Sequence, residues 1–140
     1  MFRSTTAEAA YKKYNKENPS SGCAFCNLPK SQVFKEKKNF WVAKNRFPYT
    51  NWDTGEVEQH LMLIPKRHLS EISQFNEAEK SEYLTVLAEY EAKGFDNYTR
   101  SGNNKGKSQP HFHTHLIKVT SKKFKFHIFN RKPYISLQLY

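Results

Sequence analysis

Between positions 111 and 117 the chain reads His-Phe-His-Thr-His-Leu-Ile, three histidines at every second place followed by two apolar residues. A period of two belongs to an extended strand. The spacing predicts a strand over 111–119 with His111, His113 and His115 on one face and Phe112, Thr114 and Leu116 on the other. Neighbouring imidazoles in that row stand about 7 Å apart. Such a column can satisfy polar contacts in a core, contribute to a zinc site, or attack phosphorus as a neutral nucleophile with a covalent intermediate. Strict alternation of three of the chain's six histidines argues against the first of these.

The surroundings narrow the choice. Gly106-Lys107-Ser108 precedes the first histidine, and Gly102 lies upstream. Gln59-His60-Leu61-Met62-Leu63-Ile64-Pro65-Lys66-Arg67-His68 is an apolar strand flanked by histidines. Cys23-Ala24-Phe25-Cys26 is a compact cysteine turn, and Asn45-Arg46-Phe47-Pro48 follows a predicted strand. Taken in order from Cys23 to Ile117, these segments resemble the landmarks of the histidine triad (HIT) superfamily of nucleotide hydrolases and transferases. They match its His-x-His-x-His motif, its Gly-Gln-Ser/Thr element, its Gly-His-x-Leu-x-Ile-Pro-Lys-x-His strand, its Cys-x-Phe-Cys and its ribose loop.

The resemblance implies an α+β fold: an antiparallel sheet of about five strands, one main amphipathic helix and a short N-terminal helix. It implies a hydrolase that cleaves the α-phosphate bond of a phosphoramidate or a dinucleoside polyphosphate through a nucleotidyl-histidine. His113 stands at the nucleophile's place, His115 at the phosphate contact, and Ser108 at a bond to the phosphate or leaving group. His111 either orients His113 or ligates a metal ion. Asn45 occupies the ribose position, His60 a supporting one behind the site, and Lys107 and Gln109 the leaving-group side. Phe40, Trp41 or Val42 line the base pocket, or simply fill the core. The same resemblance suggests a structural zinc held by Cys23, Cys26, His68 and His111, with His60 as the substitute for His68. The cysteine pair alone supplies half of such a site and reads otherwise as two small thiols. Further readings are a nucleotidyltransferase, an enzyme acting on adenylated nucleic-acid ends, and a non-catalytic nucleotide- or zinc-binding module.

Three positions depart from the family pattern. Lys107 replaces the usual Gln, Arg100 stands where many members carry Asn, and Pro110 precedes the triad. Each adds charge or rigidity near the leaving group, which points toward a more anionic one, such as a polyphosphate. The net charge of +10 and a pI near 9.6 suit phosphate-bearing partners of any size, so nucleic acid stays open beside a small nucleotide.

The 140 residues suffice for one domain with a modest core, divided into an N-terminal helix and linker (1–22), the histidine-triad core (23–119) and a C-terminal hairpin extension (120–140). With 37% hydrophobic residues and a mean hydropathy of −0.86, the 11 Phe and 8 Tyr carry much of the packing. No apolar run reaches membrane-spanning length, the first residues lack a secretory apolar segment, and two cysteines without one suit a reducing, cytoplasmic setting.

Along the chain, residues 6–17 read as a helix with Tyr11 and Tyr14 on one face, and Ser20-Ser21-Gly22 as a linker. Val33–Glu36 and Phe40–Lys44 read as a hairpin around Lys37-Lys38-Asn39. Positions 47–57 read as a loop carrying Tyr49 and Trp52, and 59–64 as a strand. Asn76 and Glu79 form a capping box opening a helix over 77–93, with Gly94 as its stop. Phe95–Thr99 is a candidate strand, and Arg100–Gln109 a loop able to offer backbone N–H groups, Ser108 and Lys105 or Lys107 to a phosphate. Ser121-Lys122-Lys123 reads as a turn, and the alternation of 124–129 and 134–140 around Asn130-Arg131-Lys132-Pro133 as a hairpin. By resemblance this tail reaches a partner subunit of a homodimer, or it extends the sheet.

Overall fold

The computed structural model describes residues 3–19, 22–53, 55–104, 106–123, 126–131 and 134–139. Met1, Phe2, Ser20, Ser21, Thr54, Lys105, Phe124, Lys125, Lys132, Pro133 and Tyr140 lie outside them, and with them parts of the expected linker, phosphate loop and C-terminal hairpin. The order of elements is α1 (Thr5–Glu17), β1 (Val33–Glu36), β2 (Phe40–Lys44), β3 (Asn51–Trp52), β4 (Gly55–Pro65), α2 (Glu77–Glu91), β5 (Asp96–Thr99), β6 (Thr114–Lys123), β7 (Phe126–Arg131) and β8 (Tyr134–Leu139). The expected α+β fold is present. Five strands run in the order β1-β2-β4-β6-β5, every pairing antiparallel, and two-residue β3 pairs beside them with β4.

β4 is the central strand. Its first half alternates between exposed and covered residues, whereas His60 through Pro65 are all buried. A continuous apolar run is what a strand needs when both of its faces are covered. On one face Leu61 and Leu63 join Phe40, Val42, Phe112 and Leu116 beneath α2, which contributes Tyr83, Val86 and Tyr90. On the other, Met62 and Ile64 meet Ala43 and Phe25, with Trp41 and Cys23 at the border. Two-layer packing on a central strand thus leaves the second face for chemistry.

α2 begins with the expected reciprocal cap: Glu79 N–H donates to Asn76 Oδ1 and Asn76 N–H to Glu79 Oε2, both at 2.9 Å. The Glu79 carboxylate also receives Arg67, at 3.1 and 2.8 Å. The helix closes at Glu91, and Gly94 turns the chain with φ +79°, a conformation that disfavours any Cβ. Tyr83 reaches across the core to the hydroxyl of Thr114 at 2.7 Å, and Thr114 is shared at 2.7 Å with Thr99. This network joins α2, β6 and β5. Removing the Tyr83 hydroxyl takes one bond from the fully buried Thr114, so Tyr83→Phe is expected to lower unfolding stability by about 1 kcal/mol in urea titration.

Four strand expectations are corrected. The strand read over 111–119 is β6 at 114–123. β4 stops at Pro65, and the ladder ends where Leu63 pairs Thr114, while the Phe112 N–H donates to the Leu69 carbonyl outside the sheet. The turn expected at 121–123 is strand because β4 starts at Gly55 and gives Lys123 a partner. That same early start converts the loop read over 47–57 into a small hairpin, β3–β4, turned at Asp53 with φ +50°. Among the described residues the C-terminal hairpin pairs within itself, Arg131 opposite Tyr134, as a separate two-stranded sheet and not an extension of the main one.

Candidate active site

The three histidines part company at the end of the ladder. His115 lies in β6, in register with Met62 of β4 and Tyr98 of β5, which fixes it on the face opposite α2. His113 and His111 precede the strand, where the chain is no longer held by sheet bonds. All three are buried. His113 and His115 meet edge to face with ring centres 5.0 Å apart and face one cavity, walled by α1, the Cys23–Pro29 turn and the loop after β2.

Hydrogen bonds set the tautomers. His113 Nδ1 lies 2.8 Å from the His111 carbonyl, so it carries the proton and leaves Nε2 with the lone pair. His60 Nδ1 accepts the Tyr49 N–H at 3.0 Å, which puts the His60 proton on Nε2. That proton is given to His115 Nδ1 at 2.9 Å, and His115 in turn carries its own proton on Nε2. Two adjacent imidazoles therefore present opposite characters, a lone pair on His113 and an N–H on His115. All stay neutral near pH 7. Burial lowers the pKa of His60 to about 3, with the Arg3 charge adding to the effect. Burial likewise lowers His115, reinforced by His113, His60, Arg100 and Arg3. His113 is lowered by burial against the bond to the His111 carbonyl, with Lys107 and Arg100 contributing.

The His111 side chain turns the other way. Its Nδ1 lies 3.3 Å from Cys23 Sγ and 3.6 Å from Cys26 Sγ, and Cys26 Sγ lies 3.1 Å from His68 Nδ1. The four donor atoms are all within 4.8 Å of one another, a cluster that can hold a metal ion. His111 Nε2 donates to the Pro65 carbonyl at 2.9 Å, which keeps Nδ1 unprotonated and aimed at the sulfurs. A ligating histidine is commonly fixed this way. Orienting His113 and joining the cluster are not alternatives for His111: the main-chain carbonyl does the first and the ring the second. His68 and not His60 completes the set, and with Cys26 exposed the pair is not two buried thiols.

Other expected residues divide. Ser108 and Gln109 face the cavity, and Asn45 borders it, its Oδ1 accepting the Phe47 N–H at 2.9 Å. Phe40 and Val42 do not line it: both are fully buried under α2 on the opposite face, because their pleat positions match Leu61 and Leu63. Lys107 turns its ammonium to the Ser70 carbonyl at 2.8 Å. In the glycine loop the N–H groups of Asn104, Gly106 and Lys107 are spent on Ser101 and Asn104 within it.

Several residues at the site escaped the sequence. Phe25 packs edge-on against His113 at 5.1 Å and His111 at 5.9 Å. Tyr98 stacks on His115 at 5.9 Å, and its place in the β5 alternation beside the triad was the available signal. Arg3 reaches the site from the start of α1: its Nε donates to the Phe47 carbonyl at 3.0 Å and its guanidinium lies 4.4 Å from the Tyr11 ring and 5.2 Å from the Tyr49 ring. Nothing local in the sequence predicts that docking.

A family model described as HIT domain matches residues 29–122. No curated protein matches the chain. Among solved structures, a HIT family hydrolase from Clostridium thermocellum is similar at 21% identity and a TM-score of 0.55, over 76% of this chain and 97% of that one. A histidine triad protein from Clostridium difficile gives 19% and 0.54, over 77% and 98%. A hypothetical histidine triad nucleotide-binding protein from Sulfolobus tokodaii gives 21% and 0.55, over 72% and 71%.

Proposed function

The chain belongs to the HIT domain family, and from that premise we propose that it is a nucleotidyl hydrolase using His113 as nucleophile on the α-phosphate of a nucleotide conjugate, a phosphoramidate or a dinucleoside polyphosphate. The observation that carries this reading is the pairing of opposite tautomers: the bond from His113 Nδ1 to the His111 carbonyl frees Nε2, while the His60–His115 bond leaves an N–H on His115. An attacking lone pair and a donor for a non-bridging phosphate oxygen are what displacement at phosphorus asks of two neighbouring groups.

The cycle has two steps. Nε2 of His113 forms a bond to phosphorus and the bond to the leaving group breaks; a phosphate leaving group departs as its anion, and an amine takes up a proton from solvent as it departs. Water then attacks the nucleotidyl-imidazole, the N–P bond breaks, and the nucleoside monophosphate departs with a proton released to solvent. His115 holds the phosphoryl oxygens throughout, and Ser108 serves the phosphate or leaving group from the cavity rim. Asn45 takes the ribose hydroxyls. His60 acts through His115 as a positioning residue; His60→Phe is expected to lower kcat about 100-fold, the scale of an ångström-level misplacement, with little change in KM.

The Cys23, Cys26, His68 and His111 cluster is assigned to structural zinc. A tetrahedral ion with two sulfurs at about 2.3 Å and two nitrogens at about 2.0–2.1 Å keeps its donors roughly 3.3–3.8 Å apart, close to the spacings of 3.1, 3.3 and 3.6 Å in the chain. Zinc there would supply structure, not reactivity, since the cluster uses all four ligands.

The test of this function is release of AMP from a fluorogenic adenosine phosphoramidate and from diadenosine polyphosphates. Turnover of either supports it. A folded protein that binds AMP and releases it from neither substrate overturns it.

A further inference from the structure

Four cations line the cavity, Arg3, Lys12, Arg46 and Arg100, and Lys107 follows in the same loop as Arg100. Lys12 pairs with Glu8 at 4.0 Å, and Arg46 donates to the Tyr14 hydroxyl and, at 3.1 Å, to Gln32 Oε1. Lys107 is committed to the Ser70 carbonyl. Arg3 donates to Phe47 and pairs with Glu8 at 3.5 Å. Arg100 faces the same cavity as His113 and His115, and unlike Arg3 and Lys12 it has no carboxylate within 4.0 Å among the described residues. Its guanidinium lies 5.5 Å from the centre of the Tyr98 ring, and that ring is stacked on His115. Arg100 is thus held one aromatic layer away from the residue assigned to the phosphate.

The loop makes room for it. A Cβ on Gly106 would stand 3.1 Å from Arg100 Nη1 and 3.1 Å from Asn104 Oδ1, closer than nearly all such contacts. Glycine at 106 therefore lets the guanidinium lie along the loop backbone at the cavity edge. A side chain that is cationic, planar and without an anionic partner is suited to bind phosphate oxygens in pairs.

We propose that Arg100 is a specificity-determining residue that binds the phosphates beyond the α-phosphate, so that the site favours a polyphosphate leaving group over a neutral amine. This rests on the nucleotidyl-transfer reading above. In the first step the bond between the α-phosphorus and its bridging oxygen breaks as the His113 Nε2–P bond forms, and the bridging oxygen leaves as part of a phosphate or nucleoside polyphosphate anion. Arg100 meets the negative charge that grows there. An amine leaving group carries no such charge, and Arg100 gives it no comparable help.

Two measurements test this. In steady-state kinetics, Arg100→Gln is expected to reduce the ratio of kcat/KM for diadenosine tetraphosphate to that for the adenosine phosphoramidate by about 30-fold or more, and Gly106→Ala to reduce the same ratio in the same direction. The second measurement does not depend on turnover: AMP and ATP affinities are compared by calorimetry in the His113→Ala background. ATP is expected to bind more tightly than AMP, and Arg100→Gln to remove that advantage. An unchanged ATP/AMP ratio, with an unchanged melting temperature showing an intact fold, overturns the proposal. If the wild type releases AMP from no substrate, the hydrolase reading fails, and the affinity ratio still decides the assignment of Arg100.

Discussion

Replacing His113 by alanine is expected to reduce AMP release by about 10⁴-fold or more, the scale seen when a covalent nucleophile is removed from a preorganised site. The reason lies in what the residue does not do. Among the described residues its one hydrogen bond runs to the carbonyl of His111, two residues away, so no distant element hydrogen-bonds to it. Phe25 and His115 pack against the ring, and their loss of contact is a modest cavity term. Nucleotide affinity and the melting temperature should therefore stay near the wild-type values while turnover vanishes. Equal losses in His113→Ala and in a folding-defective variant would instead mark the residue as structural.

The second large effect is expected at the cysteine turn. Cys23→Ser with Cys26→Ser removes both sulfur donors from the cluster. Metal content per chain should fall from about one to near zero, and stability to urea should drop by several kcal/mol, as expected where ion binding is coupled to folding. Turnover should fall as well, because His111 belongs to both systems. Its ring sits with the sulfurs, and its carbonyl holds the tautomer of His113. Loosening the ring loosens the carbonyl. Prolonged exposure to a strong chelator should reproduce both losses, and zinc should restore them. A wild-type protein with no bound metal and a double variant of unchanged stability would refute the assignment.

Much of this architecture could be read from residue patterns, and the misses have physical causes. The capping box at Asn76 and Glu79, the hairpin at 33–44 and the stop at Gly94 depend on neighbours a few residues apart, which a sequence displays directly. The four members of the cysteine–histidine cluster were legible through resemblance, because motif spacing survives where geometry is unseen. The triad strand starts later than its alternation predicts because alternation at 111–115 is a property of the chain, whereas ladder bonds depend on where β4 stops. For Phe40 and Val42 the resemblance offers a pocket and the alternation offers a core; period two does not say which face is which, and the structure gives the core. Lys107 was placed at the phosphate for its charge, and a carbonyl 37 residues away decided otherwise. The docking of α1, and with it Arg3, was invisible: it rests on Tyr11 and Tyr14 closing on Phe47 at 5.3 and 5.2 Å, a long-range aromatic contact with no local trace.

The account stands or falls on covalent chemistry at His113. The direct measurement is acid-free rapid quench of the wild-type protein turning over an adenosine phosphoramidate, followed by mass spectrometry of the peptide spanning the triad. The account predicts an adenylyl group on His113, appearing before AMP accumulates and absent from His113→Ala. Steady AMP release with no adduct at any time, or an adduct on His111 or His115, would contradict it.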